Sequence, residues 1–165
     1  MSHRRRIYKI PFLNHFMTLE QYKKKRKFDK TPEPKAKKAS TKSKIFVVHD
    51  HKASHHHYDL RLSMNGVLKS WAVPKIPPLK KGIKRLAIQV EDHPLSYATF
   101  EGTIPEGNYG AGTVKIWDNG TYELKEKDSK KIVVEFHGKK LKGEYVLIKT
   151  SYGAKPEKSW LFFKT

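Results

Sequence analysis

A histidine-rich segment holds the residues with the clearest chemical potential, because five of the nine histidines fall between positions 49 and 57. If the residues from 57 onward form a strand, alternate side chains point to opposite faces, so His57, Asp59 and Arg61 share one face. Residues two apart on a strand lie about 6.5–7 Å apart, which allows an imidazole and a carboxylate to bind one metal ion. His51, which we place in the loop before this strand, could fold over to supply a third ligand.

Two imidazoles and one carboxylate leave coordination positions open for water and a phosphate oxygen, as a catalytic metal requires. The chain contains no cysteine, so disulfides and thiolate metal sites are excluded. The alternative is a solvent-facing histidine cluster that binds no metal. The strict alternation described above favours the metal site. We interpret His49 as lining the groove, and His55 and His56 as loop residues.

A second polar group, Glu91, His93 and Tyr97, follows a predicted apolar strand and precedes or flanks a proline. This position predicts exposure at a sheet edge or barrel mouth. His93 could donate a proton or a hydrogen bond to a phosphate, and Glu91 could orient a ligand histidine. The alternative for His93 is a role in capping the loop.

Lysine and arginine total 35 against 16 acidic residues, which gives a formal net charge of +19 and an isoelectric point near 10. This excess indicates a polyanionic partner, with nucleic acid as the first candidate and an anionic membrane surface as the second. No apolar run approaches the roughly 20 residues that span a bilayer, so we expect a soluble, cytoplasmic protein. Lys75 and Arg85, at predicted strand ends, could bind phosphate, although residue type alone gives little weight in so basic a chain.

Short β-rich runs separated by turn signals begin at residue 44. Nine strands are predicted, at 45–49, 57–64, 67–73, 85–90, 113–118, 121–126, 131–136, 144–150 and 159–165. Asn65-Gly66 and Asn119-Gly120 tolerate positive φ, so each predicts a hairpin between the strands that flank it. The glycine-rich stretch 105–112 is interpreted as a structural turn, because it lacks the strand and helix of a nucleotide-binding loop. Nine short strands indicate an antiparallel sandwich or barrel.

The first 43 residues differ from the rest in their clusters of like charge and their Pro/Lys/Ser-rich stretch. They predict a basic, partly flexible arm over 1–43, followed by one β-barrel domain over 44–165. Within the arm, Leu19, Tyr22 and Phe28 predict a short amphipathic helix over about 18–28. The arm either contacts a nucleic acid backbone, which we favour, or is a solvated tail.

From about Leu19 to Thr165 the sequence resembles the 3′-phosphoesterase domain of bacterial ATP-dependent DNA ligase D and its freestanding bacterial and archaeal relatives. The resemblance is carried by the segments 19–34, 46–62, 66–75, 84–114 and the terminal SWLFFKT. It implies a mainly β fold, a small antiparallel β barrel with a short N-terminal helix, and a groove that binds Mn²⁺ in preference to other divalent transition metals. It also implies 3′-end trimming in DNA break repair, in which a terminal ribonucleoside is removed and the remaining 3′-phosphate is then hydrolysed.

Matched by motif, the resemblance assigns roles to individual residues. The implied metal ligands are His51, His57 and Asp59. Arg61 and His93 would bind the scissile phosphate. Support of the site is implied for Glu91 and Tyr97. Added positive charge around the phosphate is implied for Lys75 and Arg85. The implied partners are a DNA primer-template with a 3′-terminal ribonucleotide or 3′-phosphate, and a DNA ligase, polymerase/primase or end-binding protein of end joining. We expect a monomer.

The sequence departs from the family pattern beside both ligand histidines. His49 and Asp50 stand where family members usually have Gln-Lys, and Ser54 and His56 replace the common arginine and leucine. Losing two cations and gaining histidines could alter metal preference or the balance between the two hydrolytic steps. Two other hypotheses stay open: a noncatalytic barrel that binds single strands or primer ends, similar to an OB-fold, and a histidine cluster for metal storage.

Overall fold

The computed structural model describes residues 19–36 and 44–165. An α-helix covers 19–24, and short 3₁₀ helices cover Leu95–Thr99 and Pro156–Lys158. The strands, numbered in chain order, are β1 (Ile45–Lys52), β2 (His56–Met64), β3 (Val67–Val73), β4 (Lys84–Pro94), β5 (Gly102–Ile104), β6 (Gly112–Lys127), β7 (Lys131–Gly138), β8 (Lys142–Lys149) and β9 (Ser159–Lys164). No helix within these described residues is long and apolar enough to cross a membrane.

The strands form a closed antiparallel barrel, as the sequence predicted. The sheet order is β1-β2-β3-β4-β9-β8-β7-β6-β5, and pairing of β1 with β6 closes a ring of eight of these nine strands. The strand outside this ring is β5, whose three residues pair with the start of β6. Closure removes the free edges that an open sheet of this length would expose.

Both faces of the sheet around β2 are covered. On the inner face, Leu60, Leu62 and Met64 belong to the main apolar core of the barrel. On the outer face, Asp59, Arg61 and Ser63 are also buried. The predicted alternation of β2 is therefore confirmed, and the outer face forms a second layer instead of a solvated surface.

The two predicted hairpins have different outcomes. Asn65 and Gly66 have φ angles of 52° and 80°, and they join β2 to β3 in the predicted tight turn. The hairpin predicted at Asn119-Gly120 is wrong, because these residues lie inside the single long strand β6. Gly120 is needed there for close packing: an added Cβ would lie 2.3 Å from the carbonyl oxygen of His137 on β7. The predicted fifth and sixth strands are thus one strand, and the short strand β5 was not predicted.

The segment 19–36 packs against the outer face of the barrel. Tyr22 is fully buried there, in a cluster with Val47, Leu68 and Tyr97, and Phe28 is partly buried against the same cluster. The helix is shorter than the predicted 18–28, because the chain turns after residue 24 and continues over the barrel as irregular structure. The rest of the predicted arm, 1–18 and 37–43, lies outside the described residues.

Candidate metal centre

Two adjacent strands bring the three predicted ligands together. His51 lies in strand β1, not in a loop as predicted, and it is directly opposite His57 on β2. The two imidazole ring centroids are 4.7 Å apart. Asp59 follows two residues later on the same face of β2, with 5% of its surface exposed. The pairing register of two strands, and not a folded-over loop, thus sets the spacing of the three side chains.

Backbone carbonyls fix which nitrogen of each ring faces the site. His51 donates from Nε2 to the carbonyl oxygen of Gly110 at 2.7 Å, and His57 donates from Nδ1 to that of His55 at 2.8 Å. The opposite nitrogens, His51 Nδ1 and His57 Nε2, lie 3.4 and 3.3 Å from Asp59 Oδ2. A hydrogen bond of this kind on the second ring nitrogen is typical of histidines that bind metals.

The donor set fits a divalent cation. One potential ligand atom from each of His51, His57 and Asp59 lies within 4.8 Å of the others. Burial alone would raise the pKa of Asp59, but the charge of Arg61 and the side-chain contacts with His51 and His57 hold that pKa well below its usual range. Burial lowers the pKa of His57, but the hydrogen bond and charge of Asp59 outweigh it, so the net shift is upward. Protons and a metal ion would therefore compete for His57.

Arg61 lies beside the three ligands in a fixed orientation. Its Nε donates to His49 Nδ1 at 3.2 Å, its Nη1 donates to Ser70 Oγ at 2.9 Å, and its Nη2 lies 3.5 Å from Asp59 Oδ2. His49 is fully buried behind Arg61, so the interpretation that it lines the groove is wrong. Burial, together with the charge of Arg61, lowers the pKa of His49 to about 3. The neutral ring accepts from Arg61 and donates from Nε2 to the carbonyl oxygen of Phe100 at 3.0 Å.

The second polar group is buried, not exposed at a sheet edge as predicted. Only 6% of Glu91, 3% of His93 and 2% of Tyr97 is exposed, because the segment 19–36 covers this part of the barrel. His93 Nε2 lies 3.2 Å from Arg26 Nη2, and its Nδ1 lies 3.0 Å from the carbonyl oxygen of Glu91. Since arginine can only donate, Nε2 accepts and Nδ1 carries the proton. Burial, with the charges of Arg61 and Arg26, holds the pKa of His93 well below its usual range.

Glu91 contacts cations from the N-terminal segment. Its carboxylate accepts from Lys25 Nζ at 3.0 Å and from Arg26 Nη1 at 3.4 Å. We predicted that Glu91 would orient a ligand histidine, but these contacts direct its carboxylate toward Arg26. Glu91 therefore holds the Arg26 guanidinium in place, and among the described residues its carboxylate contacts no candidate ligand histidine.

Arg26 and Glu33 are site residues that the sequence reasoning missed. Arg26 Nε donates to Glu33 Oε2 at 2.7 Å, and Tyr97 donates its phenolic proton to the same oxygen at 2.8 Å. Burial raises the pKa of Tyr97, and the charge of Arg61 opposes this shift while the neighbouring Glu33 adds to it. The net upward shift keeps this phenol protonated. The basic run around position 26 predicted a short helix within a basic arm that contacts a nucleic acid backbone, and not a part of the site. The available signal was the resemblance over 19–34, which includes both residues.

Lys75 and Arg85 lie away from this group. Neither lines the pocket that contains the candidate ligands, as far as the described residues define it. Arg85 donates from Nε to the carbonyl oxygen of Ile76 at 2.9 Å, and Lys75 is exposed just after β3. His55 lies in the loop before β2, as predicted, and lines the pocket. The loop position predicted for His56 is wrong, because His56 is the first residue of β2 and pairs with Asp50 at 2.6 Å on the surface.

All the central groups face one pocket of about 480 Å³. The described residues that line it include the three candidate ligands, both guanidinium groups, the second buried imidazole and the buried phenol, namely His51, His57, Asp59, Arg61, Arg26, His93 and Tyr97. A donor set suited to a divalent cation beside two arginines is suited to an anionic, oxygen-rich ligand such as a phosphate ester.

Comparison with known proteins agrees with this chemistry. The multifunctional non-homologous end joining proteins LigD of Mycobacterium bovis and Pseudomonas aeruginosa are each 47% identical, over 81% and 88% of this chain. LigD of Mycolicibacterium smegmatis is 43% identical over 87% of the chain. The chain spans only 18–20% of the length of these relatives. The DNA ligase D 3′-phosphoesterase domain model matches residues 49–149, and the chain therefore belongs to this family.

Proposed function

We propose that the chain is a divalent-metal-dependent phosphoesterase that processes the 3′ ends of DNA strands. In this proposal it removes a 3′-terminal ribonucleoside as a phosphodiesterase and hydrolyses the resulting 3′-phosphate as a phosphomonoesterase. The observation that carries the proposal is the convergence of His51, His57 and Asp59 beside Arg61 in one pocket. Membership of the 3′-phosphoesterase family supports it.

We propose Mn²⁺ as the ion, held by His51 Nδ1, His57 Nε2 and a carboxylate oxygen of Asp59. Bound there, Mn²⁺ would supply Lewis-acid polarisation of the phosphate. The chain itself supplies directed cations. Arg61 uses Nε and one Nη1 proton on His49 and Ser70, which leaves other guanidinium protons for phosphate oxygens. Stabilisation of charge on those oxygens is the main task of a protein in phosphoryl transfer.

The buried network under the N-terminal segment would hold the other side of the phosphate. Arg26 is fixed by Glu33 and Glu91, and it donates to His93 Nε2. We propose that His93 acts as a neutral ring that orients Arg26 toward the phosphate, because its Nε2 accepts from Arg26 and its depressed pKa disfavours a protonated ring at neutral pH. Tyr97, with its proton committed to Glu33, would support the site by packing against His93, their ring centroids 4.7 Å apart.

The cellular role is proposed from the relatives, whose names state a function in non-homologous end joining. The substrate would be a primer-template with a 3′-terminal ribonucleotide or 3′-phosphate, recognised in part through the 2′-hydroxyl. A DNA ligase, a polymerase/primase or an end-binding protein would be the repair partner, and the domain would act as a monomer in the cytoplasm.

Labelled primers test the proposal directly. Wild-type protein with Mn²⁺ should convert a 3′-ribonucleotide end to a 3′-phosphate and then to a 3′-hydroxyl, with no product when EDTA is added. The His57→Ala variant should lose both steps. The His56→Ala variant is the matched control, because its exposed imidazole is adjacent in sequence but pairs with Asp50 outside the ligand group.

The main alternative, a noncatalytic DNA-binding barrel, is favoured by the net charge of +19. It predicts that wild-type protein binds the primer but leaves its 3′ end intact with every divalent metal tried. Cleavage by His57→Ala at the wild-type rate would also contradict the proposed site.

A further inference from the structure

A second groove, of about 340 Å³, continues from the metal pocket along the outer face of β4. The two share part of their walls, including Val90, Glu91, Tyr109 and Lys155. The new groove extends from there past Lys69 and Lys158. A strand that entered this groove would reach the metal pocket without leaving the protein surface.

The groove carries positive charge that its acidic neighbours do not neutralise. Its lining contains four lysines, of which Lys25 pairs with Glu91 at 3.0 Å and Lys69 pairs with Asp92 at 2.8 Å. Neither Lys155 nor Lys158 has an acidic side chain within ion-pair distance among the described residues. Two ammonium groups thus remain for an anionic ligand, and a row of cations along a groove suits a sugar-phosphate backbone.

Tyr109 stands where the groove meets the metal pocket. It is one of the few large apolar side chains among the described residues with a high exposure, 47%. Its ring has cations near it, with Lys25 Nζ 4.8 Å and Arg26 Cζ 5.4 Å from the centroid. An exposed ring beside cations is the arrangement on which single-stranded nucleic acids stack their bases.

The turn that carries Tyr109 is tied to the candidate metal ligands. The next carbonyl oxygen, that of Gly110, accepts the hydrogen bond from His51 Nε2 at 2.7 Å. Within the turn, the amide of Asn108 donates to Pro105 and that of Ala111 donates to Asn108. The backbone that carries the ring is therefore held next to the candidate metal site, as a subsite for a neighbouring nucleotide requires.

We propose that this groove binds the retained strand on the 5′ side of the scissile phosphate. The nucleobase next to that phosphate stacks on Tyr109, and Lys155 and Lys158 contact the backbone phosphates that follow. The position of the scissile phosphate rests on the proposed function, whereas strand binding in the groove is a separate property.

Stacking is tested with a primer that carries 2-aminopurine as the penultimate base, bound with Ca²⁺ so that no turnover is needed. Wild-type protein and Tyr109→Phe should quench its fluorescence, and Tyr109→Ala should abolish the quenching and weaken binding roughly tenfold or more. Mn²⁺ affinity of Tyr109→Ala should match wild type, which shows that the His51 side of the turn is intact. Unchanged quenching in Tyr109→Ala would overturn the stacking proposal, as would lost quenching in Tyr109→Phe.

Backbone contact is tested by the double variant Lys155→Ala/Lys158→Ala. The slope of the logarithm of the binding constant against the logarithm of salt concentration should become shallower by about 1.4, since each single-strand phosphate contact contributes about 0.7. Lys139→Ala/Lys142→Ala removes the same charge at the opposite end of β8 from the loop that carries Lys155, and it should keep the wild-type slope. Equal slopes for both double variants would overturn the proposed track.

These measurements separate the two proposals. Quenching and salt dependence are measured without turnover, so they stand if wild-type protein shows no 3′-end hydrolysis and the proposed function fails. Wild-type hydrolysis combined with normal quenching in Tyr109→Ala and a normal slope in the lysine variant would leave the proposed function intact and remove this inference.

Discussion

The inner and outer faces of strand β2 are buried to similar extents by different material. Inside the barrel, Leu60 and Leu62 are fully buried among apolar side chains. Outside, Asp59 and Arg61 are 5% and 4% exposed, and each contacts polar groups of defined geometry. Consecutive residues of one strand thus belong to two layers, one held by apolar packing and one by directed hydrogen bonds and ion pairs.

The difference separates the residues that hold the barrel together from the residues that could bind a ligand. Apolar packing is nondirectional, so it stabilises the fold without specifying a ligand. A buried charge is costly unless it is paired, and groups such as Asp59, Arg61, Arg26 and Glu33 are paired around a pocket instead of being replaced by apolar residues. Changes on the inner face should therefore affect stability, and changes on the outer face should affect activity.

The largest contrast is expected between Asp59→Asn and Leu60→Ala, adjacent residues on opposite faces. Asp59→Asn removes the anionic group of the proposed ligand set and should lower kcat/KM by about 1,000-fold, equivalent to several kcal/mol of transition-state stabilisation. Leu60→Ala should lower the free energy of unfolding by about 2–5 kcal/mol, with near-normal activity per folded molecule. Urea unfolding and primer hydrolysis measure the pair. The contrast is broken if Leu60→Ala loses activity while fully folded.

A smaller loss is expected for Arg26→Lys, which keeps the charge but removes the planar fork. Lysine cannot contact Glu33, Glu91 and His93 together, so we expect about a 10- to 100-fold lower kcat and about 1–3 kcal/mol lower stability. Lys27→Ala, at an exposed neighbouring position, is the control. Wild-type kcat in Arg26→Lys would show that the N-terminal segment only covers the barrel.

The outer layer should also give stability a pH dependence through His93. Its folded pKa is depressed, so below about pH 6.5 the unfolded chain binds a proton that the folded chain does not. The free energy of unfolding should fall as the pH drops below about 6.5, by up to about 1.4 kcal/mol per pH unit from this group. Between pH 7 and 5, the free energy of unfolding obtained from denaturant curves should change less with pH for His93→Gln than for wild type. Leu60→Ala should keep the wild-type pH dependence. An equal pH dependence for wild type and His93→Gln would contradict the depressed pKa of His93.

The smallest effect is expected for His49→Gln. His49 accepts from Arg61 and donates to the carbonyl oxygen of Phe100, and a glutamine amide offers the same acceptor and donor. Activity should therefore stay within about threefold of wild type, since the hydrogen bond that orients Arg61 is kept. His49→Leu fills the space without either group and should raise KM about tenfold, because one net hydrogen bond to a charged group is lost. Equal kinetics for the two variants would show that Arg61 needs no partner at position 49.

Sequence reasoning predicted the parts of the fold that depend on local periodicity. The alternation of β2 separated Asp59 and Arg61 from Leu60 and Leu62, and Asn65 with Gly66 gave a correct hairpin. The number and length of the β-rich runs indicated a sandwich or barrel, and the family resemblance indicated the barrel. In these cases the residue type is determined by the local backbone conformation or by the strand face on which the side chain lies.

Predictions failed where a residue's role depends on a distant part of the chain. Gly120 is required by the approach of His137 from β7, which no dipeptide pattern reveals. The carboxylate of Glu91 contacts Arg26, 65 residues away in the sequence. His51 was placed in a loop because the pairing of β1 with β2 cannot be inferred from the spacing of histidines alone. The outer layer is built from such long-range contacts, so it was less predictable than the core.

Pulsed electron paramagnetic resonance of bound Mn²⁺ tests the metal centre most directly. Wild-type protein should bind one Mn²⁺ per chain with coupling to two histidine nitrogens, and His57→Gln should retain coupling to one at most. His56→Gln should give the wild-type spectrum. Bound Mn²⁺ without nitrogen coupling, or a wild-type spectrum from His57→Gln, would contradict ligation by His51, His57 and Asp59.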